Sequence, residues 1–140
     1  MSELSIIEKV IALEAVDLFR GLSAEQLWRI GGIATETTVP PAKTILEAEA
    51  SVDSLYVIVD GQVELLRGGT PFHTAERGEV LGSWALFDDT PLAVGARSVA
   101  DVRLLRISRT EFFDLLSDNM QITAAIFRTI VKRFRQLAGS

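Results

Sequence analysis

Gly82-Ser83-Trp84-Ala85-Leu86-Phe87-Asp88-Asp89-Thr90-Pro91-Leu92-Ala93-Val94-Gly95-Ala96-Arg97 is the stretch that decides the fold, and its surroundings come first. From Thr35 to about Ile107 the chain has the pattern of strands. Pro40-Pro41, Asp60-Gly61, Gly68-Gly69, Gly78 and Gly82 separate short β-rich runs. Gly68-Gly69 suits a two-residue hairpin, whose turn needs positive φ. Val57, Val59, Val63 and Leu65 all point inward if Asp60-Gly61 forms a tight turn. Val102 to Leu104 with Ile107 is the expected last strand. About eight short strands at this spacing predict a sandwich, jelly roll or barrel.

Outward from the strands the periodicity becomes helical. Leu4, Ile7, Val10 and Ile11 recur at helical spacing, with Glu3, Glu8 and Lys9 elsewhere on the wheel. Ser23 is the expected N-cap of a second short helix. Leu27 and Ile30 would supply its buried face, Trp28 is a further candidate, and Gly31-Gly32 would end it. On the other side, Ser108 and Glu111 form a capping-box pattern ahead of Phe112, Phe113, Leu115 and Leu116. A final helix starts near Asp118. In it Ile122, Ile126, Ile130 and Phe134 recur every fourth residue, with Phe127 and Val131 beside them. That face is wide for a helix with one partner. Ile126, Phe127, Ile130, Val131 and Phe134 are therefore the expected surface for a homodimer or protein partner. The predicted organisation is one domain over 1–140: N-terminal helices at 1–34, a β-barrel at 35–107 and C-terminal helices at 108–140.

Composition narrows the function classes. The 140 residues are 48% hydrophobic and 24% charged, enough to bury a core. The net charge of −5 argues against general nucleic-acid binding, which needs a basic footprint. Seven of the fourteen basic residues lie from Arg103 onward. Cations in the last turns of a helix favour its dipole, so that bias is first a matter of helix stability and solubility, and second a partner or nucleic-acid surface. There are no cysteines. This excludes disulfides, thiol catalysis and cysteine-ligated metals, and it leans toward a reducing, cytoplasmic setting. Apolar runs such as Leu55-Tyr56-Val57-Ile58-Val59 fall far short of the roughly 20 residues a membrane span needs. No membrane insertion and no targeting segment are expected.

The opening stretch resembles the phosphate-binding cassette of the cyclic nucleotide-binding domain found in catabolite-activator-type regulators, kinase regulatory subunits and gated channels. That cassette has the pattern Gly-Glu-x-Ala-Leu, a spacer, then Pro-Arg-x-Ala-Thr/Ser. The resemblance extends over most of the chain. Leu18-Phe19-Arg20-Gly21-Leu22-Ser23 is similar to the family's entry to its barrel, and Asp53 to Val63 to its strand–turn–strand. Ala100-Asp101-Val102-Arg103-Leu104-Leu105-Arg106-Ile107, with Phe112 and Leu115-Leu116, is similar to its exit. The resemblance implies a mainly β fold: an eight-stranded antiparallel jelly-roll β-barrel with flanking helices.

It also implies a site. In the family a short helix offers backbone N–H groups to the cyclic phosphate, an arginine neutralises the phosphate, and a glutamate accepts from the ribose 2′-hydroxyl. The corresponding positions here are Gly82, Ser83, Trp84, Ala85, Leu86, Pro91, Leu92, Ala93, Val94 and Gly95. Gly82, Ala85, Leu86 and Pro91 keep the pattern. Ser83 stands at the glutamate position, Leu92 at the arginine position and Gly95 at the Thr/Ser position. Ala42 and Glu49 stand where turns of the family often have glycine. Without the two charged groups a cyclic nucleotide is disfavoured, and no other cofactor is expected. Leu92, with Trp84, would fold inward and fill the space, or line a pocket for a less charged ligand. Arg97 and Arg77 are the arginines near enough in sequence to compensate.

Little else carries chemistry. His73 is the single histidine, and Asp88-Asp89 is an acidic pair in a turn, so no catalytic residue and no metal ligand are expected. No nucleophile elbow, phosphate loop or dinucleotide fingerprint is present. Three functions stay open: a degenerate binding module used in regulation or protein interaction, a sensor of cAMP, cGMP or another small ligand, and a cupin-like barrel enzyme. The chain stops at Ser140, just after the last helix, so we expect a free-standing module or a piece of a larger protein, without a helix-turn-helix domain.

Overall fold

A computed structural model of the chain describes residues 3–88, 91 and 93–139, with the backbone alone at 83 and 84. Two helices come first, α1 (Ile6–Leu13) and α2 (Ala24–Gly31). Each begins on a serine that closes a capping box, Ser5 with Glu8 and Ser23 with Gln26. Gly32 is the C-cap of α2, where the glycine pair predicts its end. The strands are β1 (Thr35–Val39), β2 (Thr44–Leu46), β3 (Ser54–Asp60), β4 (Val63–Arg67), β5 (Thr70–Ala75), β6 (Val80–Leu81), β7 (Val94–Ser98) and β8 (Val102–Ser108). Then come α3 (Arg109–Asp118), capped by Ser108, and α4 (Met120–Leu137).

The strands form two antiparallel four-stranded sheets, β1-β8-β3-β6 and β2-β7-β4-β5. The arrangement is jelly-roll-like, as expected, but the sheets are not closed into a barrel. The edge strands β6 and β2 hold only two and three residues. Edges that short carry too few ladder bonds to join one sheet to the other.

Alternation along β3 and β8 divides the core in two. Leu55, Val57, Leu105 and Ile107 pack with Leu13, Phe19, Ile30, Phe112 and Ile122 on the helix side of the first sheet. Ile58, Val102 and Leu104 pack with Leu46, Val63, Ala75 and Ala96 between the sheets. The four residues expected on one interior therefore separate: Val57 and Val59 join the first cluster, Val63 and Leu65 the second. The cause is the Asp60-Gly61 turn, which hands the chain from one sheet to the other. A Cβ at Gly61, at φ +99°, would lie 2.4 Å from the Asp101 carbonyl oxygen, so only glycine fits there.

Gly68 and Gly69 join β4 to β5 with positive φ at both positions, as the hairpin requires. Ile7, Ile11 and Trp28 are exposed (63%, 61% and 55%), contrary to their place in the expected apolar faces. Helices of eight residues bury one narrow stripe each: Leu13 in α1, and Leu27 and Ile30 in α2.

Two turns carry side chains where glycine is preferred. Ala42 has φ 62° and Glu49 φ 66°. The left-handed region costs an L-residue about 1–2 kcal/mol, and glycine returns part of that as lost chain entropy, about 0.5–1 kcal/mol. The double substitution Ala42→Gly, Glu49→Gly is expected to raise the melting temperature by about 3–6 °C, measured by circular dichroism. An unchanged or lower value would mean that other contacts offset the backbone strain.

Candidate functional site

Gly82 ends β6 with φ +71° and opens a 3₁₀ turn, Ser83–Leu86. A Cβ at Gly82 would lie 3.0 Å from the Ser54 carbonyl oxygen, so the turn can press against the start of β3 only with glycine here. The Ala85 N–H donates to the Gly82 carbonyl at 2.9 Å and closes the turn. Ala85 is buried in the inter-sheet cluster and Leu86 in the helix-side cluster. The turn is thus wedged between the two cores. Phe87 follows, packed edge-on against Phe112 with ring centroids 5.8 Å apart, and 6.4 Å from Phe113.

The rest of the predicted site spreads from this turn into β7. Pro91 and Ala93 are exposed. Val94 is half-buried opposite Arg67, and Gly95 is buried opposite Leu66. Leu92, Asp89 and the side chains of Ser83 and Trp84 lie outside the described residues, so the inward folding expected of Leu92 and Trp84 lies there too.

The two arginines near enough in sequence to compensate are placed elsewhere. Arg97 sits opposite Glu64 across the β4–β7 ladder and donates to its carboxylate at 2.9 Å. Arg77 is exposed and lines a groove of about 230 Å³ against α1, with Leu4, Glu8, Ile11 and Val57. That groove opens on the helix side of the first sheet. Arg106, on β8, donates to the buried Ser54 hydroxyl at 2.9 Å.

Sequence reasoning missed Arg109. From the first position of α3 it donates to three carbonyls: Ala85 at 2.7 Å, Val52 at 2.8 Å and Asp88 at 3.2 Å. Its backbone N–H donates to the Asp53 carbonyl at 2.8 Å. One side chain therefore ties the turn, the approach to β3 and the start of α3 together. A signal was present: a cation at a helix N-terminus opposes the dipole, so it needs an acceptor elsewhere.

His73 forms an exposed pair with Glu79 at 2.8 Å. That hydrogen bond, and a second from the Glu76 N–H, hold the Glu79 carboxyl below the usual carboxylate range. Among the described residues no group of three metal-ligating side chains forms, and no helix is long and apolar enough to cross a membrane.

In α4, Ile122, Ala125 and Ile126 are buried, and Ile130 packs against the same core. Ile126 is therefore a core residue and not part of a surface. Phe127, Val131 and Phe134 are exposed, together with Met120 and Leu137. The every-fourth-residue repeat starts on the buried face at Ile122 and drifts to the exposed side by Phe134, and the exposed stripe lies opposite the buried one.

Residues 36–119 match the family described as the cyclic nucleotide-binding domain. The chain is similar to the cAMP-dependent protein kinase regulatory subunit of Aspergillus fumigatus, at 30% identity over 74% of this chain and 26% of that protein. It spans about a quarter of the length of the kinase regulatory subunits it matches. Its fold is similar to the N-terminal domain of a transcriptional regulator from Streptomyces coelicolor, with TM-score 0.85 and 23% identity over 92% of this chain and 96% of that one. It is also similar in fold to the regulatory subunit of a cAMP-independent protein kinase A from Trypanosoma cruzi bound to guanosine. There the TM-score is 0.73, with 20% identity over 81% of this chain and 42% of that one.

Proposed function

The chain belongs to the cyclic nucleotide-binding domain family, and from that premise we propose that it is a non-enzymatic regulatory module whose cassette has lost ordinary cyclic-nucleotide binding. The observation that carries this reading is the pair of uncharged residues, Ser83 and Leu92, at the positions where the family has glutamate and arginine. A hydrogen bond to a charged group contributes about 1.5–3 kcal/mol. Losing both removes about 3–6 kcal/mol, or two to four decades of affinity. The placement of the arginines around the cassette supports it. Arg97 is committed to Glu64, Arg106 to Ser54 and Arg109 to backbone carbonyls. Each cation already has an acceptor that a phosphate would have to displace.

A second reading is a ligand without the phosphate charge. Leucine and serine at the two anchor positions favour a neutral molecule, and the guanosine-bound Trypanosoma cruzi structure has a similar fold. Titration calorimetry with cAMP, cGMP and guanosine separates the two. We expect no cyclic-nucleotide heat below about 100 μM ligand. A dissociation constant near 1 μM or below for either cyclic nucleotide would overturn the proposal. Guanosine binding without cyclic-nucleotide binding would select the second reading. In either case the module acts through protein contact, for which α4 offers the exposed stripe, and the absence of cysteine supports a cytoplasmic setting.

A further inference from the structure

α4 carries two apolar stripes on opposite sides. Ile122, Ala125 and Ile126 face the domain. Met120, Ala124, Phe127, Val131 and Phe134 are exposed, Phe127 at 66% and Phe134 at 70%. Their spacing alternates between four residues and three along the helix, which is the seam of a coiled coil with Ala124 and Val131 at a and Met120, Phe127 and Phe134 at d. A seam of this width fits one further helix.

The charges beside the seam select that helix. α4 contains Arg128, Lys132, Arg133 and Arg135 and no carboxylate, in a chain whose net charge is −5. Arg133 is paired with Asp17 at 2.6 Å. Arg128, Lys132 and Arg135 are exposed and have no ion-pair partner among the described residues. Arg128 and Arg135 fall at e positions, while the g positions hold Thr123, Ile130 and Leu137. A second copy would bring cationic helices together without one opposing anion. Antiparallel, arginines would face arginines; parallel, Arg128 would face Thr123 and Arg135 would face Ile130, and neither gains an ion pair. A lipid-adsorbing helix backs its apolar face with a cationic polar face; here the opposite face, with Ile122, Ala125 and Ile126, is buried against the domain.

We propose that α4 docks an amphipathic helix from another protein, apolar at its own seam positions and rich in glutamate beside them. This rests on the reading that the domain acts through α4. The test uses two synthetic peptides of about three heptads with leucine at a and d. One has glutamate at e and g, the other lysine. Both are titrated against the folded chain by fluorescence anisotropy, beside phosphatidylserine vesicles and sedimentation of the chain alone.

The glutamate peptide is expected to bind at least about tenfold tighter than the lysine peptide, and more weakly as salt rises. Phe127→Ser with Phe134→Ser, both exposed and so compatible with folding, should abolish binding. Arg128→Glu with Arg135→Glu should reverse the preference. Equal binding of the two peptides, or binding to vesicles in place of peptide, overturns the proposal. Self-association that the phenylalanine variants abolish and charge reversal leaves intact also overturns it, while keeping α4 as the acting surface. A monomeric chain that binds neither peptide nor vesicles removes both. The cassette reading is judged separately, by calorimetry.

Discussion

Replacing Arg109 with methionine is expected to lower the melting temperature by about 10 °C. The Arg109 side chain donates to the Ala85, Val52 and Asp88 carbonyls. Two of these bonds are partly buried, and at 2.7 and 2.8 Å they are short enough to count as charge-assisted. Methionine keeps the aliphatic stem and removes every donor. Carbonyls left unsatisfied cost about 1–3 kcal/mol each, partly relieved where water can enter, so the net loss is about 3–4 kcal/mol. For a domain of this size each kcal/mol moves the midpoint by about 3 °C. Lysine should recover only a minority of the loss, because one ammonium cannot reproduce a planar fork spread over separate carbonyls. Amide exchange should accelerate first in residues 83–88, before α1 and α2. A methionine variant melting within about 1 °C of the parent would show that these bonds merely accompany the packing of Leu86 and Phe112.

What the sequence made legible follows the range of the interactions involved. Ser23 and Ser108 cap helices through bonds to residues three positions away, and Gly68-Gly69 specifies its hairpin within four residues, so local reading suffices for both. Arg109 reaches residues 24 and 57 positions away, and no local pattern contains that distance. The misplacement of Val57 has the same root. Periodicity says that a side chain alternates, but not that β3 is covered on both faces, by helices on one and a sheet on the other. In α4 the every-fourth-residue run marks an apolar helix correctly. It cannot say which of two stripes meets the domain, and so it counts Ile126 as surface. The cassette turn was found through Gly82, Ala85 and Leu86, the residues the packing most constrains: a positive φ, and two buried side chains in two cores.

That separation between packing residues and ligand residues makes a restoration experiment possible. Ser83→Glu with Leu92→Arg is expected to give the chain cyclic-nucleotide affinity two to four decades above its own. The turn on which such a site is built is in place. Gly82 and Ala85 close the turn, and Arg109 holds its far end by carbonyls. Each added group supplies one charge-assisted interaction of about 1.5–3 kcal/mol, so a parent constant near 1 mM would move to between about 10 μM and 0.1 μM. The single variants should each recover about half of the free energy, with the arginine the stronger, because it meets a full negative charge and the glutamate meets a hydroxyl. High salt should weaken the gain from the arginine more than that from the glutamate. Calorimetry with cAMP on the parent, both singles and the double decides the matter. If the double variant stays folded by circular dichroism and binds no tighter than the parent, the missing charges are not what keeps the nucleotide out, and occupation of the pocket by this chain's own side chains becomes the explanation.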